Sequence, residues 1–549
     1  MEFKHDILAP SVLKRVLIAA ITASLAGMNL SVRAEAPQYR LLLGIVVEGL
    51  DENCLEQLRD RLGDGGFRML ADKGVYLPFA DYGTSLDATA ATATLVTGAH
   101  PALTGIDSEL RYDREKMLYS HVFADPQALG NFTNDTYSPK ALRVSTISDE
   151  ARIAGSGISV VYAVASTPGQ ALALGGHSAN SALWIDPATA NWASTAFYRD
   201  MPTGIATRNR REPLTARMDT MSWAPKGGPE LYSMLPEHLT RYPFRYVFQR
   251  SNPKRMEMFL QSPLANREVT AVAGELLKNN HIGAHEEGID VLNIGYTLTP
   301  YAYGRNADKR PEQYDAYLRL DDDLEQLFQT IDRTVGLNHT LIYLAGTPAR
   351  PYSARDDEKW NIPYGEFSTR RAASLLNIYL MALHGNGDYV SAFRGGKVYL
   401  NNRELKDKGL DGALVRSEAA QFLARMTGVD RVYTSDAIYA GTAGENADAL
   451  RRNTVVSTAP DVTLTVAPGY EIIDDFAGMQ TQAEGAPHYV RRAVATTAPV
   501  FIYSPELEAR RIDTPVDVRR IAPTVTRLLR IRSPNGAVEA SLRLNRLSD

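Results

Sequence analysis

The sequence predicts an α/β fold: a doubly wound, mostly parallel sheet sandwiched by helices and carrying a large cap insertion. Three observations lead there. Leu41–Val47 is a continuous apolar run, the mark of a strand buried on both faces of a parallel sheet. Comparable runs recur at Ile158–Ala165, Val291–Tyr296, Thr340–Ala345 and Pro499–Tyr503, with helical periodicity between them. The chain of 549 residues, 44% hydrophobic and 22% charged, is long enough for a large core and too polar for a multi-span membrane protein.

The N-terminus opens on a basic flank, Lys14 and Arg15, then an apolar stretch from Val16 to about Val32, with small residues at Val32 and Ala34. This pattern reads as a secretory signal over residues 1–34, cleaved after Ala34, leaving a periplasmic or secreted mature domain over residues 35–549. Thr22, Ser24, Gly27 and Asn29 interrupt the stretch, which falls short of the ~20 apolar residues of a membrane span. No integral span is expected after cleavage.

Beyond the first strand, Asp51-Glu52-Asn53 caps a helix expected from Leu55 to Lys73 and closed by Gly74. The best helical pattern runs from Asp315 to Val335, with Leu320, Leu324, Leu327, Phe328, Ile331 and Val335 on one stripe. Asp321, Asp322 and Asp323 lie off that stripe or at its edge. Consecutive helical positions point about 100° apart and do not converge on one ion, so these aspartates read as a solvated face. Loosened, Gly/Pro/Asn-rich patterning marks a cap insertion over 107–290 and a smaller second insertion over 385–450.

Fifty-nine Lys and Arg against sixty-four Asp and Glu give net charge −5, with no run of five basic residues, so no nucleic-acid partner is expected. Cys54 is the only cysteine, which forbids an internal disulfide and any cysteine metal cage and reads as an inert thiol.

Several segments carry a resemblance to a known family. They are Thr97-Gly98-Ala99-His100-Pro101-Ala102-Leu103-Thr104-Gly105-Ile106, His177-Ser178-Ala179-Asn180-Ser181-Ala182-Leu183-Trp184 and Tyr317-Leu318-Arg319-Leu320-Asp321. Val398–Asn402, Ala459–Val462, Ala467–Tyr470 and Pro499–Tyr503 follow in the same order. Together they resemble the alkaline phosphatase superfamily, in its secreted bacterial branch with a threonine nucleophile and a large cap. The resemblance covers nearly the whole mature chain.

That resemblance implies two zinc ions ~4 Å apart activating a threonine for in-line phosphoryl transfer. It also shows where this chain departs from the pattern. The aspartate ending the first strand matches Glu48, and the nucleophile position matches Ala88, with Thr89 next to it. The Asp-x-x-x-His ligand pair falls on Thr297 and Tyr301, and the Asp-His pair on Gly346 and Thr347. His488 matches the last ligand and is retained. The phosphate-contacting Lys-x-Arg falls on Thr167 and Gly169, and the contacting asparagine on Glu109. Neutral residues and an added carboxylate there repel a phosphate dianion.

Two readings follow. One is a pseudoenzyme that keeps the fold, needs no cofactor, and binds a protein or small molecule in the cleft or on the cap. The other is an active metal-dependent phosphomonoesterase or phosphodiesterase, with zinc held by relocated ligands drawn from Glu48, Asp51, Asp87, Glu109 and His488. Hydrolysis by an unrelated triad finds only His177 beside Ser178, without a Gly-x-Ser-x-Gly elbow; His177 reads as a packing or hydrogen-bonding residue and His100 as part of a turn. Tyr296, Tyr301 and Tyr303, with Tyr232, Tyr242, Phe244, Tyr246 and Phe248, read as filling the volume of the missing metals and packing the cap, a partner surface being the alternative.

Overall fold

Eight residues with no polar side chain before the last, Leu41–Glu48, form the central strand β1 of the main sheet. The structure, a computed structural model, describes residues 39–83, 86–198, 201–285, 287–305, 308–348, 361, 363–444, 447–476, 488–489 and 496–546. The expected signal segment, 1–34, lies outside the described residues. No helix among the described residues is long and apolar enough to cross a membrane.

In chain order the elements that position the cleft are β1, α1 (Glu52–Leu58), α2 (Phe67–Lys73), β2 (Val75–Asp81) and α3 (Ala88–Thr97). Then come β3 (Val161–Ala165), α4 (Pro168–Gly175), β4 (Ser181–Ile185), β5 (Trp192–Thr195), α5 (Pro263–Asn279) and β6 (Asp290–Thr297). The series ends with α6 (Arg310–Thr334), β7 (Thr340–Thr347) and β8 (Thr497–Tyr503). The sheet order is β2-β8-β7-β1-β6-β3-β4-β5, extended at its edges by Arg510–Arg511 and Gly130–Asn131. The five strands β7, β1, β6, β3 and β4 run parallel, while β8 is antiparallel to both neighbours and β5 is antiparallel to β4. The fold is therefore the mostly parallel α/β architecture read from the sequence.

Side chains alternate across a strand, so β1 feeds two cores at once. Leu41, Leu43, Ile45 and Val47 join the cluster under α5 and α6, whereas Leu42 and Val46 join the cluster under α3 and α4.

Three expectations need correction. The helix foreseen from Leu55 to Lys73 is broken between α1 and α2, where Gly63, Gly65 and Gly66 pass under α6. Asp321 causes the break: its Oδ2 accepts the Gly63 amide at 2.6 Å and its Oδ1 the Phe67 amide at 2.8 Å. Asp321 and Asp323, read as a solvated face, are 3% and 2% exposed. The stretch 107–290 supplies β3, β4 and β5 to the main sheet, so only parts of it cap the molecule.

The second unit also exceeds 385–450. Its sheet joins Val390–Arg394, Lys397–Leu400, Val462–Val466 and Val429–Thr434, and its own core includes Leu376, Leu380, Val415, Leu423 and Leu464. Gly385 and Gly441 close helices at positive φ, so the polar stretches read as boundaries are turns within the unit.

Cys54 is half-buried, and burial together with the Asp51 charge pushes its thiol up to about 12.

Two predictions rest on α6. Asp321→Ala strands two amides and lowers unfolding free energy by about 1–3 kcal/mol, measured by denaturant titration. Burial pushes the Asp323 carboxyl up to about 7, against the pull of Arg267 3.7 Å away. Between the unfolded value and about 7 the folded chain holds the extra proton, so this group's contribution to stability falls as pH rises. Asp323→Asn removes that slope, and the wild-type Tm drops more than the variant's between about pH 5 and about pH 8.

Candidate functional site

The parallel register puts the carboxyl ends of β1, β6 and β7 side by side, with Glu48 opposite both Thr297 and Thr347. In doubly wound sheets this edge is where ligands bind. Thr297, Tyr301 and Gly346 on it are engaged in structure-holding contacts.

At the end of β6, Asn266 of α5 clamps the Thr297 backbone, donating to its carbonyl at 2.7 Å and accepting its amide at 3.0 Å. The Thr297 hydroxyl lies 3.3 Å from that of Thr299. Tyr301 is buried in an aromatic cluster, its ring 4.8 Å from Trp223, 4.7 Å from Tyr246 and 5.8 Å from Tyr303. Burial drives its phenol far above the ordinary range, so it stays protonated.

At the end of β7, the Tyr82 hydroxyl donates to the Gly346 carbonyl at 2.6 Å. A Cβ on Gly346 would meet Leu50 Cβ at 2.9 Å and Ala498 Cβ at 3.1 Å, so this position has no room for a carboxylate side chain as packed. The Thr347 hydroxyl is buried with no hydrogen-bond partner among the described residues. The His488 backbone pairs with Ile473 in a small sheet apart from the main one.

The other wall of the cleft is the start of α3. Asp87 caps it: Oδ1 accepts the Ala90 amide at 2.9 Å and Oδ2 the Glu109 amide at 2.6 Å. Ala88 is the first helical residue and Thr89 is buried behind it. Glycine at 169 leaves room for Thr89, whose Oγ1 lies 2.4 Å from where a Cβ on Gly169 would stand. Thr167 precedes α4 and makes no side-chain cap. Thr89, Glu109 and Gly169 thus share one neighbourhood, as the resemblance implies.

Sequence reasoning missed a member of it. His121, whose side chain is 10% exposed, lies with Nε2 3.8 Å from Glu109 Oε1 and 3.5 Å from the Gly169 Cβ position. Its Nδ1 accepts the Phe123 amide at 3.2 Å, so the proton sits on Nε2, and burial lowers its pKa to about 4. A ring with Nε2 already protonated is no base for the Thr89 hydroxyl. The signal was the hairpin Leu110–Asp113 with Leu118–His121, whose register sets His121 opposite Leu110, next to Glu109.

The remaining candidates are structural. The Ser178 hydroxyl donates to Asp149 at 2.8 Å rather than facing the His177 ring, and His177 Nδ1 lies 3.2 Å from the same carboxylate. Burial raises the Asp149 pKa, but the hydrogen bonds from His177, Thr146 and Ser178 outweigh it and hold the group below the usual carboxylate range. Asp51 accepts the Asn53 amide and caps α1. Tyr232 and Tyr246 hydrogen-bond Asp315 and Glu312 of α6, at 2.7 and 2.5 Å, and tie the cap to the core.

A family model for type I phosphodiesterase / nucleotide pyrophosphatase matches residues 42–489. The chain belongs to that family. Alkaline phosphatase PafA of Elizabethkingia meningoseptica is 23% identical over 526 residues, covering 91% of this chain and 93% of that protein. Alkaline phosphatase PhoV of Synechococcus elongatus is likewise 23% identical over 526 residues, 91% of each chain. The crystal structure of wild-type PafA matches with TM-score 0.80 at 21% identity, covering 92% of this chain and 98% of that one, which shows a shared fold. The motif segments from Thr97 to Tyr503 therefore identified the alkaline phosphatase superfamily correctly.

Within this family the cleft of the present chain does not fit a two-zinc centre. Zinc takes deprotonated nitrogen, sulfur or carboxylate ligands. The positions offer one glutamate, the retained His488, two threonines, a protonated buried tyrosine and a glycine whose Cβ site is filled. Among the described residues no three His, Cys, Asp or Glu side chains converge. Gly346→Asp tests the packing: it is expected to lose about 1–3 kcal/mol of stability by overpacking against Leu50 and Ala498, seen as a lower Tm that added zinc does not restore.

Proposed function

We propose that this protein is a catalytically silent member of the type I phosphodiesterase / nucleotide pyrophosphatase family. It is exported by its N-terminal signal to the periplasm or the medium, where it binds a protein or small-molecule partner in the old cleft or on the cap. One observation carries the reading: the ligand positions at the ends of β6 and β7 have become packing contacts, with Tyr301 inside an aromatic cluster and Gly346 held under Tyr82, Leu50 and Ala498.

Two features of the opposite wall support it. Ala88 offers no hydroxyl at the first position of α3, and Thr89 packs against Gly169 beside a histidine whose Nε2 holds a proton. Glu109 adds negative charge where a phosphate dianion needs cations. The alkaline phosphatases among the relatives favour the other reading, phosphoric ester hydrolysis, which here would need zinc on relocated ligands, and one experiment separates the two.

The full mature chain is purified with zinc present, its metal content is measured by mass spectrometry, and the same sample is assayed on p-nitrophenyl phosphate and bis-p-nitrophenyl phosphate. Zinc far below one equivalent and no turnover are expected. Two equivalents with chelator-sensitive turnover would overturn the proposal.

A further inference from the structure

The chain is acidic overall, yet residues 519–546 hold seven arginines against a single acidic residue, Glu539. These arginines are interleaved with apolar residues and form no run. The fold gathers them. Ile521–Leu528 is a helix whose buried face is Ile521, Ala522, Val525 and Leu528, leaving Arg527 on the exposed side.

The last segment folds back along this helix. The Leu542 amide donates to Thr524 Oγ1 at 2.8 Å, Arg520 Nε donates to the Ala540 carbonyl at 2.9 Å, and Arg527 Nη1 reaches Ser541 Oγ at 3.3 Å. Arg543, next to Leu542, is thereby set beside Arg520 and Arg527. The Ser533 hydroxyl, 3.2 Å from that of Thr526, anchors Arg532 near the same helix end. Arg520 and Arg527 donate to carbonyls and a hydroxyl, which leave the cationic charge in place. Glu539 is spent on Arg519 at 2.9 Å, and Glu508, which packs on the same segment, accepts from Asn545 Nδ2 at 3.2 Å. Val538, two residues before Ala540 in the folded-back segment, is 70% exposed.

We propose that this face, formed by Arg520, Arg527, Arg532 and Arg543 with the exposed Val538 on the same folded-back segment, docks on a membrane surface of anionic phospholipid. Charge complementarity selects an anionic partner, because local positive charge attracts one even on a net-negative protein. The exposed valine selects a lipid surface over a nucleic acid. An apolar side chain flanked by long cationic ones enters the headgroup boundary while the guanidinium groups stay at phosphate level. A face of this kind gives reversible attachment without a spanning helix.

The test is flotation of the full mature chain with vesicles of phosphatidylcholine alone and of phosphatidylcholine mixed with phosphatidylglycerol. Recovery with the anionic vesicles, little with the neutral ones, and release by salt are expected. R532E/R543E, two exposed positions whose reversal leaves the Tm unchanged, should lower partitioning on the order of tenfold or more, and R532K/R543K should retain it. Equal recovery on both vesicle types, unchanged binding by R532E/R543E, or retention of duplex DNA without vesicle binding would each overturn the proposal. None of these outcomes depends on whether the cleft hydrolyses phosphate esters.

Discussion

The register of β1 between β6 and β7 is the constraint on which the rest of the molecule hangs. Parallel pairing on both sides fixes Glu48, Thr297 and Thr347 at one level of the sheet. Alternation along the same strand commits successive residues to two different cores. A slip of one residue would exchange those cores, so the edge of the cleft is held wherever the sheet is held. The residue types at that edge are free to change while its position is not, because scaffold and site are separable.

Buried carboxylates act as clips that join distant segments. Asp290 gathers the Val160 amide, the Gly283 amide and the His285 ring at 2.6, 2.7 and 2.8 Å. Glu268 takes the Trp192 indole at 3.0 Å together with Arg208 and Arg217. Asp315 binds Trp223, Tyr232 and Arg319. A buried charge is tolerated only when its lone pairs are filled, and each of these has several donors. The cap is therefore fastened by electrostatics at a few points and by aromatic packing between them.

Much of this was legible in the sequence, because strands buried on both faces announce themselves as unbroken apolar runs. The five strands inferred from such runs all lie in the main sheet, and the family follows from motif order. What escaped depends on partners far away in the chain. The break before α2 exists because Asp321, over 250 residues later, captures two amides there. The same aspartate looked solvated because helical periodicity reports one neighbouring surface, and α6 packs on more than one. The edges of the two insertions were misplaced because glycine-rich turns inside a unit look the same as linkers between units. His121 was invisible because its neighbourhood with Glu109 arises from hairpin register, which composition does not encode.

The seat of Gly346 also imposes an order on substitution. Its carbonyl holds Tyr82, and the space a side chain would need belongs to Leu50 and Ala498. Any larger residue there requires shrinkage or displacement of those neighbours, so positions 50 and 498 must yield before position 346 can. Three residues far apart in the chain thus behave as one unit, and a change at the carboxyl end of the central strands is conditional on two changes elsewhere.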